Sequence, residues 1–249
     1  MNQRTTIVLF GNLRGRVRLP PNPFWSTSYS RRFVTVTGAA LLATGWLQAG
    51  QPTPKTDSQP LYQADFTTNV LDKVPDDMLV LDGGFAVKEE GANKFLELPG
   101  APLETYGVLF GPTASGGLTV TARIQATGKG RRFPTFAVGL NGVGGYKLQV
   151  SPAKKLLELY KGDEVIGSVP FNWESGSWTL LRLESLEGKN AGFTVEGKAW
   201  KQGQAEPKDW QVSHSDKAAA PPGRPSVWGM PYAGTPIRFD DLLVTRAAN

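Results

Sequence analysis

The chain has 249 residues, no cysteine, one histidine and a formal charge of +5. Without cysteine there is no disulfide framework, no thiolate metal site, no Cys nucleophile and no lipobox anchor. The positive charge does not imply a nucleic-acid partner: six of the 27 Lys and Arg residues lie in the first 49 positions, which hold no acidic residue, and the remaining 21 face 22 Asp and Glu, leaving no cationic excess to release counterions from phosphates.

Residues 1–49 read as an export signal. A basic region ends at Ser30-Arg31-Arg32-Phe33, and an uncharged, largely apolar run follows from Val34 to Trp46. Leu47-Gln48-Ala49 then offers a cleavage context with a small last residue. The run is short for a membrane span, which needs ~20 apolar residues. The paired arginines resemble a twin-arginine signal, although Phe33 comes one residue early and no Lys follows. The length of residues 1–29 leaves a downstream start codon open, and an uncleaved N-terminal anchor is the competing reading. A processed product is expected in the periplasm or outside the cell. Residues 50–60, "GQPTPKTDSQP", are a Pro-rich polar linker.

From Leu61 the chain alternates in period two between Gly, Pro and Asn signals, which predicts a β domain over 61–246. "FAVKEE" (Phe85–Glu90) and "KFLEL" (Lys94–Leu98) form a hairpin through Gly91-Ala92-Asn93. In "GLTVTARIQA" (Gly117–Ala126), Leu118, Val120, Ala122 and Ile124 share one face. "FPTFAVGLN" (Phe133–Asn141), "YKLQVS" (Tyr146–Ser151), "KLLELYKG" (Lys155–Gly162) and "EVIGSVPF" (Glu164–Phe171) continue the series. "SWTLLRLESLEG" (Ser177–Gly188), "GFTVEGKAW" (Gly192–Trp200), "WQVSH" (Trp210–His214), "SVWGM" (Ser226–Met230) and "IRFDDLLVT" (Ile237–Thr245) complete it. No segment carries a long amphipathic helical stripe. A dozen or so short antiparallel strands fit an all-β, two-sheet jelly-roll sandwich.

The order of these strands resembles the concanavalin A-like lectin/glucanase superfamily, laminin-G-like sandwiches in particular. The likeness rests on "SWTLLRLE", on "FTVEGKAWKQGQAEPKDWQV" (Phe193–Val212) and on the closing "GRPSVWGMPYAGTPIRFDDLLV" (Gly223–Val244), whose Phe-Asp-Asp ending is common in the return strand of such domains. Exported bacterial members include carbohydrate-binding modules, family-16-like glucanases and 3-keto-disaccharide hydrolase domains. The resemblance therefore implies a carbohydrate-binding sandwich, with a glycoside hydrolase or a structural adhesion domain as alternatives.

Catalytic motifs are absent from the sequence. A retaining glycosidase needs two carboxyl groups about 5 Å apart, and family-16-like glucanases supply them from Glu-x-Asp-x-x-Glu on one strand. The acidic clusters here, Asp76-Asp77, Glu89-Glu90 and Asp240-Asp241, are adjacent pairs, which a regular strand sends to opposite faces. Glu158, Asp163 and Glu164 read as solvated hairpin charges. His214 stands alone, no G-x-S-x-G elbow accompanies it, and "GVGG" at Gly142 is a hairpin turn.

Aromatic rings stack on the C–H faces of pyranose rings, so exposed aromatics are the candidate ligand contacts. Trp178 reads as core. Trp173 sits at a turn, Tyr146 after four small residues, and Trp228 and Tyr232 flank a proline. With Arg132 and Asn141 these are the candidate glycan-binding residues. In the last strand, counting by twos places Phe239, Asp241 and Leu243 on one face and Arg238, Asp240, Leu242 and Val244 on the other. One aspartate then interrupts an apolar face unless a bulge resets the register. Its partner would be Arg238 or another arginine, loop N–H groups, or a structural Ca²⁺. The resemblance makes the first and last strands neighbours, so Asp65 and Asp241 are the candidate calcium ligands.

Overall fold

A computed structural model describes residues 59–187, 192–217 and 222–247. The expected export signal and all but the end of the linker lie outside the described residues. Fifteen strands form, in chain order β1 (Tyr62–Ala64), β2 (Leu79–Asp82), β3 (Ala86–Glu90), β4 (Asn93–Leu98), β5 (Tyr106–Leu109), β6 (Leu118–Ala126), β7 (Thr135–Leu140), β8 (Tyr146–Ser151), β9 (Leu156–Lys161), β10 (Glu164–Pro170), β11 (Trp178–Glu187), β12 (Phe193–Lys201), β13 (Val212–Asp216), β14 (Ser226–Met230) and β15 (Ile237–Arg246). No helix occurs among the described residues.

The strands build two antiparallel sheets. Sheet I runs β13-β12-β11-β6-β15-β4-β3, with β1 also paired to β15, and sheet II runs β10-β9-β8-β7-β14-β5-β2. This is the expected all-β jelly-roll sandwich. Alternation carries the core: Leu118, Val120, Ala122 and Ile124 of β6 are fully buried, as are Val138, Leu140, Leu148 and Leu159 of sheet II. Glycine lets the layers close where a side chain would not fit. A Cβ at Gly197 on β12 would stand 2.5 Å from the Leu148 side chain of the opposite sheet.

β15 shows how the adjacent aspartates are accommodated. Its first residues pair with β4, Ile237 with Leu98 and Phe239 with Leu96. Its later residues pair with β1, Leu242 with Ala64 and Val244 with Tyr62. At the changeover the ladder to β6 shifts register between Asp240 and Leu243, and Asp241 takes a positive φ of 49°. The bulge resets the alternation, so Ile237, Phe239, Leu242 and Val244 all point inward.

Asp240 is left on the outer face but only 1% exposed. Its partner is Arg123 of β6, not Arg238, with Nη2 at 2.5 Å from Oδ2. Asn93 Nδ2 donates to the same oxygen at 3.1 Å, and the Asp241 N–H donates to Oδ1 at 2.8 Å. Burial still pushes this carboxyl above the ordinary aspartate value, against the pull of those donors. The Arg123 guanidinium lies 4.4 Å from the Trp178 ring centroid. Trp178, expected in the core, is instead half-buried on the outer face, edge-on to Phe95.

Removing one partner of a buried ion pair leaves an uncompensated charge, at a cost of about 3 kcal/mol. Arg123→Ala is expected to lower the unfolding free energy by that amount in chemical denaturation, and Arg123→Lys to recover part of it. A loss below about 0.5 kcal/mol would contradict this role.

Candidate functional site

The sequence-predicted residues do not converge. Tyr146 begins β8 pointing inward and is 1% exposed. Its hydroxyl donates to Asp216 Oδ2 at 3.0 Å, and burial with that carboxylate raises the phenol above its ordinary value. It is a core residue and not the expected rim contact. Asn141 also is buried, at a positive φ of 65°, in a turn where Gly142 N donates to Arg224 O at 3.0 Å. Trp173 is half-buried against Phe136, with ring centroids 6.3 Å apart. It lines a depression of about 260 Å³ with Trp200, Lys201 and Gln211. Arg132 and Tyr232 do come close: Arg132 Nη1 donates to Ala233 O at 3.2 Å, inside the turn closed by Tyr232 N and Thr235 Oγ1 at 2.8 Å.

Trp228 is different. It lies within β14, between inward-facing Val227 and Gly229, and therefore projects from the outer face of sheet II. Its cross-strand neighbours are Gly107 on β5 and Ala137 on β7. A Cβ at Gly107 would stand 2.5 Å from Trp228 Cε3 and 2.6 Å from Cζ3. One at Gly139, the outward neighbour on β7, would stand 3.2 Å from Nε1. The indole therefore lies flat over β14, its six-membered ring above one glycine and its five-membered ring beside the other. Nε1–H donates to Ser226 Oγ at 2.8 Å, which fixes the ring in its plane. The ring is partly exposed.

The register sets polar groups beside this ring. One rung reads Leu109, Ser226, Gly139, Lys147, Tyr160, and the next reads Gly107, Trp228, Ala137, Gln149, Glu158. Lys147 Nζ lies 5.1 Å from the Tyr160 ring centroid and 5.5 Å from that of Trp228. Gln149 Nε2 donates to Ser151 Oγ at 2.9 Å, and Ser151 Oγ donates to Glu158 Oε2 at 2.5 Å. The same carboxylate accepts from Lys154 Nζ at 2.9 Å on Oε1 and from Tyr160 Oη at 3.2 Å on Oε2.

Glu158 is only 3% exposed, which corrects its reading as a solvated hairpin charge. Burial pushes its carboxyl up, but the bonds from Ser151, Lys154 and Tyr160 outweigh that and hold it below the ordinary value. Lys147 moves in the opposite sense: burial lowers its ammonium below the usual lysine range, with a small counter-effect from Asp163. The crevice beside Trp228 holds only about 10 Å³, far below the roughly 300 Å³ or more of a ligand pocket.

The candidate calcium ligands have other partners. Asp65 Oδ1 accepts from Thr67 N at 3.1 Å and Thr67 Oγ1 at 2.8 Å. Arg123 Nε lies 2.9 Å from Asp241 Oδ2, so one guanidinium bridges both aspartates of the bulge. No group of three His, Asp or Glu able to hold a metal occurs among the described residues. As placed, Asp65 is held by Thr67 and Asp241 by the arginine, whereas Ca²⁺ takes six to eight oxygen ligands.

No family model matches the sequence, and no curated protein matches it. Solved structures do match in fold. The carbohydrate recognition domain of Emp46p in its metal-free form is 13% identical, covering 77% of this chain and 99% of that one with a TM-score of 0.55. A Bacillus subtilis protein of unknown function with a galectin-like fold is 12% identical, covering 76% and 97% with a TM-score of 0.54. The PL-14 alginate lyase of Aplysia kurodai is 9% identical, covering 76% and 100% with a TM-score of 0.50. These likenesses establish a concanavalin A-like fold.

Two outcomes follow for the platform. Gly107→Ala places a methyl group against the indole, and the ring must tilt; the Trp228 Nε1–H resonance is expected to shift, with stability falling by about 1–3 kcal/mol. An unmoved resonance would contradict the flat geometry. Because the Glu158 carboxyl sits below its ordinary value, its stabilisation is fully present above that value, 4.5, and is lost as pH falls through the lower folded-state value. Glu158→Gln is therefore expected to flatten the acid limb of stability against pH. The stability difference between the two proteins should narrow as pH falls.

Proposed function

We propose that the protein is an exported, non-catalytic carbohydrate-binding β-sandwich, periplasmic or secreted, whose glycan lies on the outer face of sheet II. The observation that carries this reading is the Trp228 ring, lying over Gly107 and beside Gly139 and pinned through Nε1. A rigid aromatic plane stacks on the apolar face of a pyranose, and neighbouring polar groups fix its orientation. Gln149, Lys147 and Tyr160 stand beside it as such groups. The Emp46p domain, described as a carbohydrate recognition domain, shares the fold. Export rests on the residue pattern of positions 1–49.

Hydrolysis is the less favoured reading. A glycosidase acid needs a raised pKa and a second carboxyl group about 5–9 Å away. Glu158, the buried carboxyl of this face, is shifted the other way by three donors.

On a glycan array, the processed protein is expected to bind one class of glycan equally with and without EDTA. Trp228→Ala should weaken the signal about thirtyfold, the effect of losing about 2 kcal/mol at an anchor residue. Binding that survives this substitution would remove the platform from the account. Absence of binding to every glycan would favour a structural or adhesion domain. Loss of binding in EDTA would restore the calcium expectation at Asp65 and Asp241.

A further inference from the structure

Two charged side chains on the outer face of sheet II, Glu158 and Lys147, are held in different ways. Glu158 is neutralised by Lys154, 2.9 Å away. Lys147 forms no ion pair among the described residues. Asp163, the carboxylate whose field reaches it, lies beyond ion-pair distance. Its ammonium is held instead between two rings, 5.1 Å from the Tyr160 centroid and 5.5 Å from that of Trp228. A partly buried cation that makes only ring contacts has shed water without gaining an anion.

The position is built by the backbone. Lys147 is opposite Gly139 on β7 and opposite Tyr160 on β9. With no side chain at Gly139, nothing on that rung separates the lysine from Ser226 and the indole beyond it. A sugar ring stacked on Trp228 would therefore carry its substituents toward the ammonium.

From this placement we infer that the ligand is an acidic glycan, whose anionic substituent meets Lys147 while its sugar ring stacks on Trp228. The inference rests on the carbohydrate-binding reading above. It adds the charge of the ligand and the residue that selects it. The anion is a uronate carboxylate or a sulfate ester, since an ammonium acts as a point charge toward either. Burial that lowers the lysine pKa is relieved when an anion arrives, so binding is expected to raise it.

The test is isothermal titration of the full chain with three probes. These are a uronic-acid oligosaccharide, its carboxyl-reduced neutral form, and a sulfated neutral oligosaccharide. At least one charged probe is expected to bind about tenfold or more tighter than the neutral form, the effect of one charge-assisted hydrogen bond. That advantage should shrink between 50 and 500 mM NaCl. Lys147→Met should abolish it and Lys147→Arg should keep it. The thermal midpoint of Lys147→Met should stay within a few degrees of wild type, which separates lost recognition from lost folding. The tighter of the two charged probes identifies the anion.

Equal affinity for the charged and neutral probes, or a preference that survives Lys147→Met, overturns the assignment of charge and leaves the aromatic platform standing. Binding of all three probes that survives Trp228→Ala overturns the platform itself. Failure of all three to bind overturns the acidic-glycan inference, and the neutral glycans of the array then decide the broader reading.

Discussion

The candidate site depends on one contact: the indole of Trp228 resting on the backbone of Gly107 and beside that of Gly139. A tryptophan in the middle of a sheet usually stands up from it, among the side chains of its rung. Here the flanking strands leave the space empty, and Cβ atoms at Gly107 and Gly139 would stand 2.5 Å and 3.2 Å from the ring. The ring can lie down and become part of the floor. A ring fixed in this way loses little freedom when a ligand stacks on it, so more of the contact energy appears as affinity. Everything else on the face follows from register. The strands that bring the glycines to the ring also place Gln149, Tyr160 and Glu158 on the neighbouring rungs and Lys147 Nζ over the ring, 5.5 Å from its centroid.

The two outer faces solve the problem of polar groups in opposite ways. On sheet I, Arg123 ties Asp240 and Asp241 across a β-bulge, and other cations there are paired as well: Arg238 with Glu90 and Glu97, Lys198 with Glu206. That face is closed on itself. Sheet II satisfies Glu158 completely and leaves Lys147 to aromatic rings. A face whose charges are internally spent suits a structural role. One with an unspent cation beside an open ring suits a ligand.

Much of the fold was legible because its long strands alternate cleanly. Leu118, Val120, Ala122 and Ile124 announced their face, and the hairpin of β3 and β4 closes at Glu90 and Asn93, inside the turn read from Gly91-Ala92-Asn93. Strands β1, β2 and β5 have three or four residues, too few for a period of two to show. The bulge in β15 was legible only as a condition, since two adjacent aspartates cannot both face water on a regular strand. Its partner was not legible, because Arg123 is 117 positions distant.

The site was harder to read for the same reason. Trp228 stood out as an aromatic, but its value lies in glycines on two other strands. Glu158 looked like a turn charge because its sequence neighbours are charged; its real surroundings come from Ser151 on the preceding strand, Lys154 in the turn and Tyr160 two residues on. The four small residues before Tyr146 suggest a rim position, although its alternation with Leu148 and Val150 marks it as inward-facing. The most direct measurement is an amide and indole NMR titration with a bound glycan. The account predicts shifts concentrated at the Trp228 Nε1–H, Gly139, Lys147, Gln149 and Tyr160. Shifts concentrated on sheet I, or around Trp173 and Trp200 with Trp228 unmoved, would contradict it.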